Sequence, residues 1–150
     1  MKQIAIYYTD DDQDDINFFT DAVDKIASDL NLIINLHIFT SGESYLQAIA
    51  DNALSAGILF LDITLPTKSG FDVLEALSNH PEKNSYPVIM YSSSIDEDFM
   101  KRSQLFGASK YVIKPYHFND LMKMITHIIT TDWQTHQVTA QNFIYSKDCI

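Results

Sequence analysis

The sequence predicts an α/β domain built on a parallel sheet with helices on both faces. Short apolar segments alternate five times with segments of helical periodicity along the 150 residues. This pattern is typical of parallel strands joined by right-handed crossovers. Four of the five apolar segments end in a polar residue, as expected where strand ends form a ligand-binding edge. At this length we expect one domain with a core of its own.

The first two strand–helix units occupy about the first 52 residues. An apolar strand at 4–8 is followed by an acidic segment at 9–15 and then by a helix. The apolar face of this helix is expected to comprise Ile16, Phe19, Val23, Ile26 and Leu30. Apolar and polar residues alternate over 34–38, which predicts an edge strand with one wetter face. A second helix is predicted from Ser41 to about Asn52.

The central segment, 57–70, organises the rest of the chain. Its apolar part ends abruptly at Asp62, so we expect a strand buried on both faces with this carboxylate at its tip. Pro66 cannot continue a hydrogen-bonded strand, and Gly70 permits a close backbone approach where the next helix begins. The pattern predicts an exposed, chemically active carboxylate on a rigid strand end.

The second half completes the alternation. Its predicted elements are a helix at 70–78, a polar loop at 80–87, a strand at 88–91, a helix at about 96–106, a strand at 111–113 and a last helix ending near 131. Gly107 is expected to close the fourth helix. Residues 132–150 lie outside the pattern and could form a short strand, a packed tail or a partner-binding segment. Our hypothesis is that 143–145 contacts the domain or a second copy of it.

Composition narrows the classes of partner. The net charge of −10 disfavours direct binding to nucleic acid or to anionic lipid. No apolar run approaches the ~20 residues of a membrane span, so we expect no membrane insertion. The start of the chain does not have the pattern of a signal peptide. The single cysteine, Cys149, cannot form an internal disulfide, and a cytoplasmic location is therefore expected.

Five polar residues are predicted to meet at the carboxyl edge of the sheet. They are Asp10, Asp11, Asp62, Ser92 and Lys114. Three carboxylates in one pocket repel each other, and a hard cation such as Mg²⁺ removes that conflict. A lysine and a serine hydroxyl suit phosphate oxygens. Together these groups indicate phosphoryl transfer to an aspartate.

At this point the chain resembles the receiver domain of two-component response regulators, over roughly residues 3–131. The resemblance rests on Asp10-Asp11, Asp62-x-x-x-Pro66-x-x-x-Gly70, Ser92 after 87–91, Gly107-Ala108 and Tyr111-Val112-Ile113-Lys114-Pro115. It implies a doubly wound, five-stranded parallel sheet of order 2-1-3-4-5 with the flavodoxin-like topology. That order also accounts for the edge pattern of the second strand.

The resemblance implies a role for each matching residue. Asp62 would be the phosphoacceptor, Lys114 would contact the phosphoryl group, and Ser92 would move to hydrogen-bond it. Tyr111 would then shift between exposed and buried rotamers. The resemblance also implies an Mg²⁺ site, formed by Asp10, Asp11, Asp62 and the backbone carbonyl of Thr64.

The resemblance also implies partners. A sensor histidine kinase or a phosphotransfer protein would supply the phosphoryl group. A downstream protein would bind the face formed by the fourth helix, fifth strand and fifth helix, as in stand-alone chemotaxis-type regulators. We expect a receiver domain at 1–131, a tail at 132–150 without an output domain, and a monomer or a phosphorylation-dependent dimer. A phosphoacceptor with some autodephosphorylation is expected, not an enzyme.

Several alternatives stay open at this stage. A phosphohydrolase of the haloacid-dehalogenase type would need a second aspartate at position 64, which is Thr64 here. A pseudo-receiver scaffold would bind partners without phosphorylation. The metal pair could be Asp11 and Asp12 instead of Asp10 and Asp11. The acidic residues Asp12, Asp14 and Asp15 are interpreted as a solvated loop and helix cap. The bond between Lys114 and Pro115 is a candidate cis peptide.

Overall fold

The computed structural model describes residues 2–79 and 86–146, and its elements follow the predicted alternation. They are β1 (Gln3–Thr9), α1 (Gln13–Leu30), β2 (Ile33–Phe39), α2 (Gly42–Ala50), β3 (Ile58–Asp62), α3 (Gly70–Ser78), β4 (Val88–Ser92), α4 (Glu97–Leu105), β5 (Lys110–Ile113), α5 (Phe118–Thr130) and β6 (Ile144–Tyr145). Most of the predicted loop at 80–87, and the last four residues of the predicted tail, lie outside the described residues.

The sheet is parallel, with the order β2-β1-β3-β4-β5-β6. The predicted order 2-1-3-4-5 is therefore confirmed, but the predicted number of strands is too low by one. The sixth strand, of two residues, lies beside β5. It is too short to produce a recognisable sequence period, which is why the pattern did not predict it.

Helices cover both faces of the sheet, as the alternation predicts. One apolar cluster joins the sheet to α1 and α5, and it includes Phe19, Ile26, Leu121 and Ile125. The other lies under α2 and α3, and it includes Tyr45 and Leu74 as well as residues of β3 and β4. Strands β3 and β4 are buried along their whole length, because they are central and helices cover them on both sides. These two strands form the rigid base of the site.

The ends of the helices have identifiable causes. The Asp12 carboxylate caps α1 by accepting hydrogen bonds from the backbone N–H groups of Asp14 and Asp15. Gly107 follows α4 with a φ of 93°, a conformation that closes helices and that glycine adopts without steric cost. This confirms the predicted stop.

The chain after α5 folds back onto the domain. We refer to residues 132–146 as the C-terminal segment. The indole N–H of Trp133 donates to the carbonyl oxygen of Ile128, and Phe143 and Tyr145 are buried. The hypothesis that 143–145 contacts the domain is thus confirmed. Within the part of the chain that the structure describes, no helix is both long and apolar enough to cross a membrane.

Candidate functional site

Asp62 is the last residue of β3, at the carboxyl edge of the sheet as predicted. The prediction that its carboxylate is exposed is wrong, because the residue is only 7% exposed. The loop after it is held against the start of α3 because the N–H of Gly70 donates to the carbonyl oxygen of Ile63 at 2.8 Å. A Cβ atom on Gly70 would lie 2.3 Å from the carbonyl oxygen of Asp62. Only a glycine permits this approach without moving the backbone that carries the Asp62 carboxylate.

The structure brings together the carboxylates of Asp10, Asp11 and Asp62. Ligand oxygens of the three groups all lie within 4.8 Å of one another, with Asp11 exposed and the other two buried. Asp10 is 0% exposed and accepts hydrogen bonds from the hydroxyl of Tyr8 and the N–H of Asp12. An all-oxygen donor set with one solvent-facing member fits a hard divalent cation that keeps some of its water.

Lys114 is the cation facing these carboxylates. Its Nζ atom lies 3.1 Å from Asp10 Oδ2, 2.8 Å from Asp15 Oδ2 and 3.6 Å from Asp62 Oδ1. The side chain is 13% exposed, and its ammonium also lies 5.3 Å from the centre of the Tyr91 ring. The position after β5 therefore places a partly buried positive charge beside the carboxylates of Asp10 and Asp62.

The pKa values at the site reflect this crowding. The pKa of Asp62 is raised from 3.8 to about 7, with burial as the largest cause, the charge of Lys114 acting to lower it and the charge of Asp10 acting to raise it. Burial lowers the pKa of Lys114, but Asp62, Asp15 and Asp10 outweigh burial and raise it. Lys114 is thus a stable cation, whereas burial and the charge of Asp10 make the ionised form of Asp62 less favourable than that of an exposed aspartate.

The interpretation of Asp15 as a solvated acid at the start of α1 is incomplete, because its side chain is 40% exposed but also pairs with a lysine. Asp15 forms an ion pair with Lys114 from the first turn of α1. A series of acidic residues at the start of a helix does not indicate which of them faces the site. Sequence reasoning therefore missed the contact between Asp15 and Lys114. The hydroxyl of Tyr8, two residues before Asp10, is a further unpredicted contact.

Ser92 and Tyr111 both contact the backbone of Ser94. Ser92 is the last residue of β4, and its Oγ accepts from the N–H of Ser94 at 3.1 Å. Tyr111 is 0% exposed, and its hydroxyl donates to the carbonyl oxygen of Ser94 at 2.8 Å. Burial raises the pKa of this phenol. The 92–94 loop therefore connects the two residues that the resemblance implied as a switch pair.

The last two predicted features are the Thr64 ligand and the proline bond. A hydrogen bond from the Thr64 backbone lowers the pKa of Asp62, so the peptide at this position lies close to the Asp62 carboxylate. The bond between Lys114 and Pro115 is trans, because none of the described peptide bonds is cis. The suggestion of a cis bond there is wrong.

The two possible metal registers make different predictions. Asp12 is committed to capping α1, whereas Asp10, Asp11 and Asp62 share one cluster. We expect Asp12→Ala to lower the free energy of unfolding by about 1 kcal/mol and to leave Mg²⁺ affinity unchanged. Asp11→Asn should weaken Mg²⁺ binding without a comparable loss of stability. Calorimetric titration and denaturant unfolding of both variants test this, and the reverse result would favour the Asp11/Asp12 pair.

Comparison with known proteins gives a family match over most of the chain. Residues 10–126 match the family model described as the response regulator receiver domain. The response regulator Rcp1 of Synechocystis is 29% identical over 82 residues, which cover 55% of this chain and 56% of that protein. The 3',5'-cyclic-nucleotide phosphodiesterase regA of Dictyostelium discoideum is 23% identical over 89% of this chain but only 16% of its own length. The chain thus spans a minor part of regA and about half of Rcp1.

Solved structures show the same fold. The Mn²⁺-bound form of response regulator Rcp1 superposes with a TM-score of 0.74 at 22% identity, covering 91% of this chain and 99% of that one. The chemotaxis response regulator CheY4 of Vibrio cholerae gives a TM-score of 0.68 at 14% identity, covering 85% and 99%. At these identities the likeness establishes the fold alone.

Proposed function

The chain belongs to the response regulator receiver domain family, and from this premise we propose that it is a phosphorylation-controlled signalling domain with Asp62 as phosphoacceptor. One observation carries the proposal. The Asp62 carboxylate ends a buried central strand, with the Lys114 ammonium 3.6 Å away and two further carboxylates in the same cluster. Phosphoryl transfer to a carboxylate requires a nucleophile, a fixed cation and a set of donor atoms that can bind a metal cation.

The proposed reaction transfers a phosphoryl group from a phosphohistidine. A carboxylate oxygen of Asp62 bonds to phosphorus as the bond from phosphorus to the donor's imidazole nitrogen breaks. The imidazole keeps the electron pair and takes a proton from solvent, and Asp62 becomes an acyl phosphate. Lys114 contacts a phosphoryl oxygen, and Ser92 donates its hydroxyl to another.

The donor set supports Mg²⁺ as the physiological cation. A divalent ion held by Asp10, Asp11, Asp62 and the Thr64 carbonyl would neutralise charge on the acceptor and on the phosphoryl oxygens. The Mn²⁺-bound form of Rcp1 supports a divalent site in a protein of the same fold. Since a nearby cation favours the ionised carboxylate, such an ion would also offset the raised pKa of Asp62.

The proposed partners follow from the reaction. A histidine kinase or a phosphotransfer protein supplies the phosphoryl group in the cytoplasm. A downstream protein binds the face formed by α4, β5 and α5, where the C-terminal segment already covers the edge of β5. A monomer, or a dimer formed on phosphorylation, fits this role. The domain acts as a phosphoacceptor with some self-dephosphorylation, not as an enzyme with an external substrate. A dehalogenase-type hydrolase is disfavoured because position 64 is an exposed threonine, not a carboxylate.

The decisive experiment is intact mass spectrometry after incubation with acetyl phosphate, with Mg²⁺ or with EDTA. We expect wild type to gain one phosphoryl group with Mg²⁺ and none with EDTA. Asp62→Asn should gain none in either condition. The matched control is Asp21→Asn, which removes an exposed carboxylate on α1 and should react like wild type.

Two outcomes would contradict the proposal. An adduct that persists in Asp62→Asn would place the acceptor elsewhere. Absence of any adduct in folded wild type, together with failure to bind beryllofluoride, a phosphoryl mimic, would favour the pseudo-receiver scaffold. Beryllofluoride binding without an adduct would instead indicate an intact site with rapid self-dephosphorylation.

A further inference from the structure

The C-terminal segment occupies the edge of β5 next to the switch pair. Strand β6 pairs in parallel with β5, with Tyr111 opposite Ile144 and Val112 opposite Tyr145. The backbone N–H of Tyr111 donates to the carbonyl oxygen of Phe143 at 2.9 Å. The backbone of Tyr111 is thus bonded directly to the C-terminal segment.

Side chains secure the same contact. Phe143 is 2% exposed and belongs to the apolar cluster that contains Tyr111. Lys110 is 4% exposed, and its ammonium donates to the carbonyl oxygen of Asn142. A buried ammonium needs acceptors because water cannot reach it. The C-terminal segment supplies one, so its position at the edge of β5 is specified by polar as well as apolar contacts.

The loop that presents Phe143 is ordered by its own hydrogen bonds. The Asn142 carboxamide accepts from the N–H of Thr139 and donates to the carbonyl oxygen of Gln137, both at 2.8 Å. A cavity of about 250 Å³ separates this loop from α4, lined in part by Met100, Gln104 and Ala140. Because β6 has only two paired residues and one side that faces this cavity, we expect the segment to detach at lower cost than unfolding of the domain.

Three hydrogen bonds, linked through the Tyr111 side chain and the Ser94 peptide, connect this edge to Ser92 at the end of β4. They run from the Phe143 carbonyl to the Tyr111 N–H, from the Tyr111 hydroxyl to the Ser94 carbonyl, and from the Ser94 N–H to the Ser92 hydroxyl. If Tyr111 left its buried position, the Ser94 carbonyl would lose its donor and the 92–94 loop its support. That loop would then need to be ordered again before Ser92 could contact a phosphoryl group.

We propose that the docked C-terminal segment positions Tyr111 and the 92–94 loop, and so strengthens binding of a phosphoryl group at Asp62. Phe143 and Lys110 are positioning residues, because their contacts hold the C-terminal segment at the edge of β5. The proposal rests on the proposed phosphoacceptor function. The effect arises from preorganisation, because a loop that is already ordered loses less conformational freedom on binding. Coupling between two sites is reciprocal, so occupation of the acceptor pocket must also hold the segment more firmly against β5.

The test measures beryllofluoride affinity in the presence of Mg²⁺ by calorimetry. We expect Phe143→Ala to weaken binding by about fivefold or more, the range typical of coupled sites. Gln141→Ala changes an exposed residue of the same segment. Ile49→Ala truncates a buried residue of the same apolar cluster, on α2, which contacts β2 at the opposite edge of the sheet from β6. Both controls should bind beryllofluoride with wild-type affinity. The proposed loss of affinity in Phe143→Ala arises neither from a change on the exposed surface of the segment nor from a general loss of stability.

The second readout is amide hydrogen exchange at Tyr111, because its backbone N–H donates to the carbonyl oxygen of Phe143. In wild type, beryllofluoride with Mg²⁺ should slow this exchange by a factor comparable to the affinity lost in Phe143→Ala. A merely structural role for Phe143 would not produce this response.

The outcomes separate the two proposals. Equal affinity of wild type and Phe143→Ala, or Tyr111 exchange that ignores beryllofluoride, would overturn the coupling while leaving the phosphoacceptor function intact. Equal losses of affinity in Phe143→Ala and Ile49→Ala would also overturn it. Failure of wild type to bind beryllofluoride at all would overturn both.

Discussion

Lys114→Met is expected to slow phosphorylation of Asp62 by about 100-fold or more and to destabilise the metal-free protein. The ammonium of Lys114 lies within 4 Å of three carboxylates, one of them fully buried. Preorganised charge aimed at a reacting group typically contributes 10²–10³-fold in rate. Methionine keeps most of the apolar stem and removes only the charge, so lost packing would not account for the result.

The stability effect of Lys114→Met has the same origin. Asp10 would keep its bonds from Tyr8 and Asp12 but lose its cation, and removal of one partner of a buried pair costs about 3–5 kcal/mol. We expect the free energy of unfolding, measured with urea in the presence of EDTA, to fall by about 3 kcal/mol. This is the lower end of the range, because Asp15 is partly solvated. Added Mg²⁺ should recover part of the loss by replacing the missing positive charge.

Lys25→Met is the matched control. Lys25 pairs with Asp29 at 2.9 Å on the exposed surface of α1, where such pairs contribute about 0.3–0.5 kcal/mol. We expect no change in the rate of phosphorylation. Similar unfolding free energies for Lys114→Met and Lys25→Met would show that the Lys114 cluster is solvated and does not behave as a buried site.

Asp62→Asn should have the opposite effect on stability, raising the unfolding free energy of the metal-free protein at pH 8 by about 1–3 kcal/mol. The folded-state pKa of Asp62, raised mainly by burial to about 7, lies above its ordinary value of 3.8. Between these values the folded protein binds more protons than the unfolded chain. The unfolding free energy of wild type therefore falls as pH rises from about 4 to 7.

Asparagine is neutral at every pH in this range and can still donate its amide to Asp10. The unfolding free energy of Asp62→Asn should therefore not decrease between pH 4 and pH 7 as that of wild type does. The unfolding free energies of the two proteins should differ little near pH 4 and most above pH 7. Urea unfolding with EDTA across this range measures the difference. Mg²⁺ should reduce it by stabilising the ionised wild-type cluster.

Asp21→Asn again provides the control, since it removes an exposed charge from α1 and should change stability by less than about 0.5 kcal/mol. If Asp62→Asn were less stable than wild type at pH 8 without metal, the carboxylate would be satisfied in the folded state. The explanation based on burial and repulsion would then be wrong.

Sequence alone was sufficient to predict the five main strands, their order through the family resemblance, and the group of residues at the strand ends. The periods of strands and helices are local properties. A parallel sheet then carries Asp10, Asp62, Ser92 and Lys114 to one edge whatever their separation along the chain. The match of residues 10–126 to the receiver family agrees with this reasoning.

Tertiary structure decided the features that depend on contacts between distant segments. Strand β6 exists because the edge of β5 offers unpaired backbone groups, and its two residues carry no period of their own. Asp15 meets Lys114, and Lys110 meets Asn142, only after the sheet has formed. The choice of Asp10 over Asp12 for the carboxylate cluster likewise depends on which acid caps α1 and which is buried beneath Lys114. Such roles are set by burial and direction in space, and a sequence pattern contains neither.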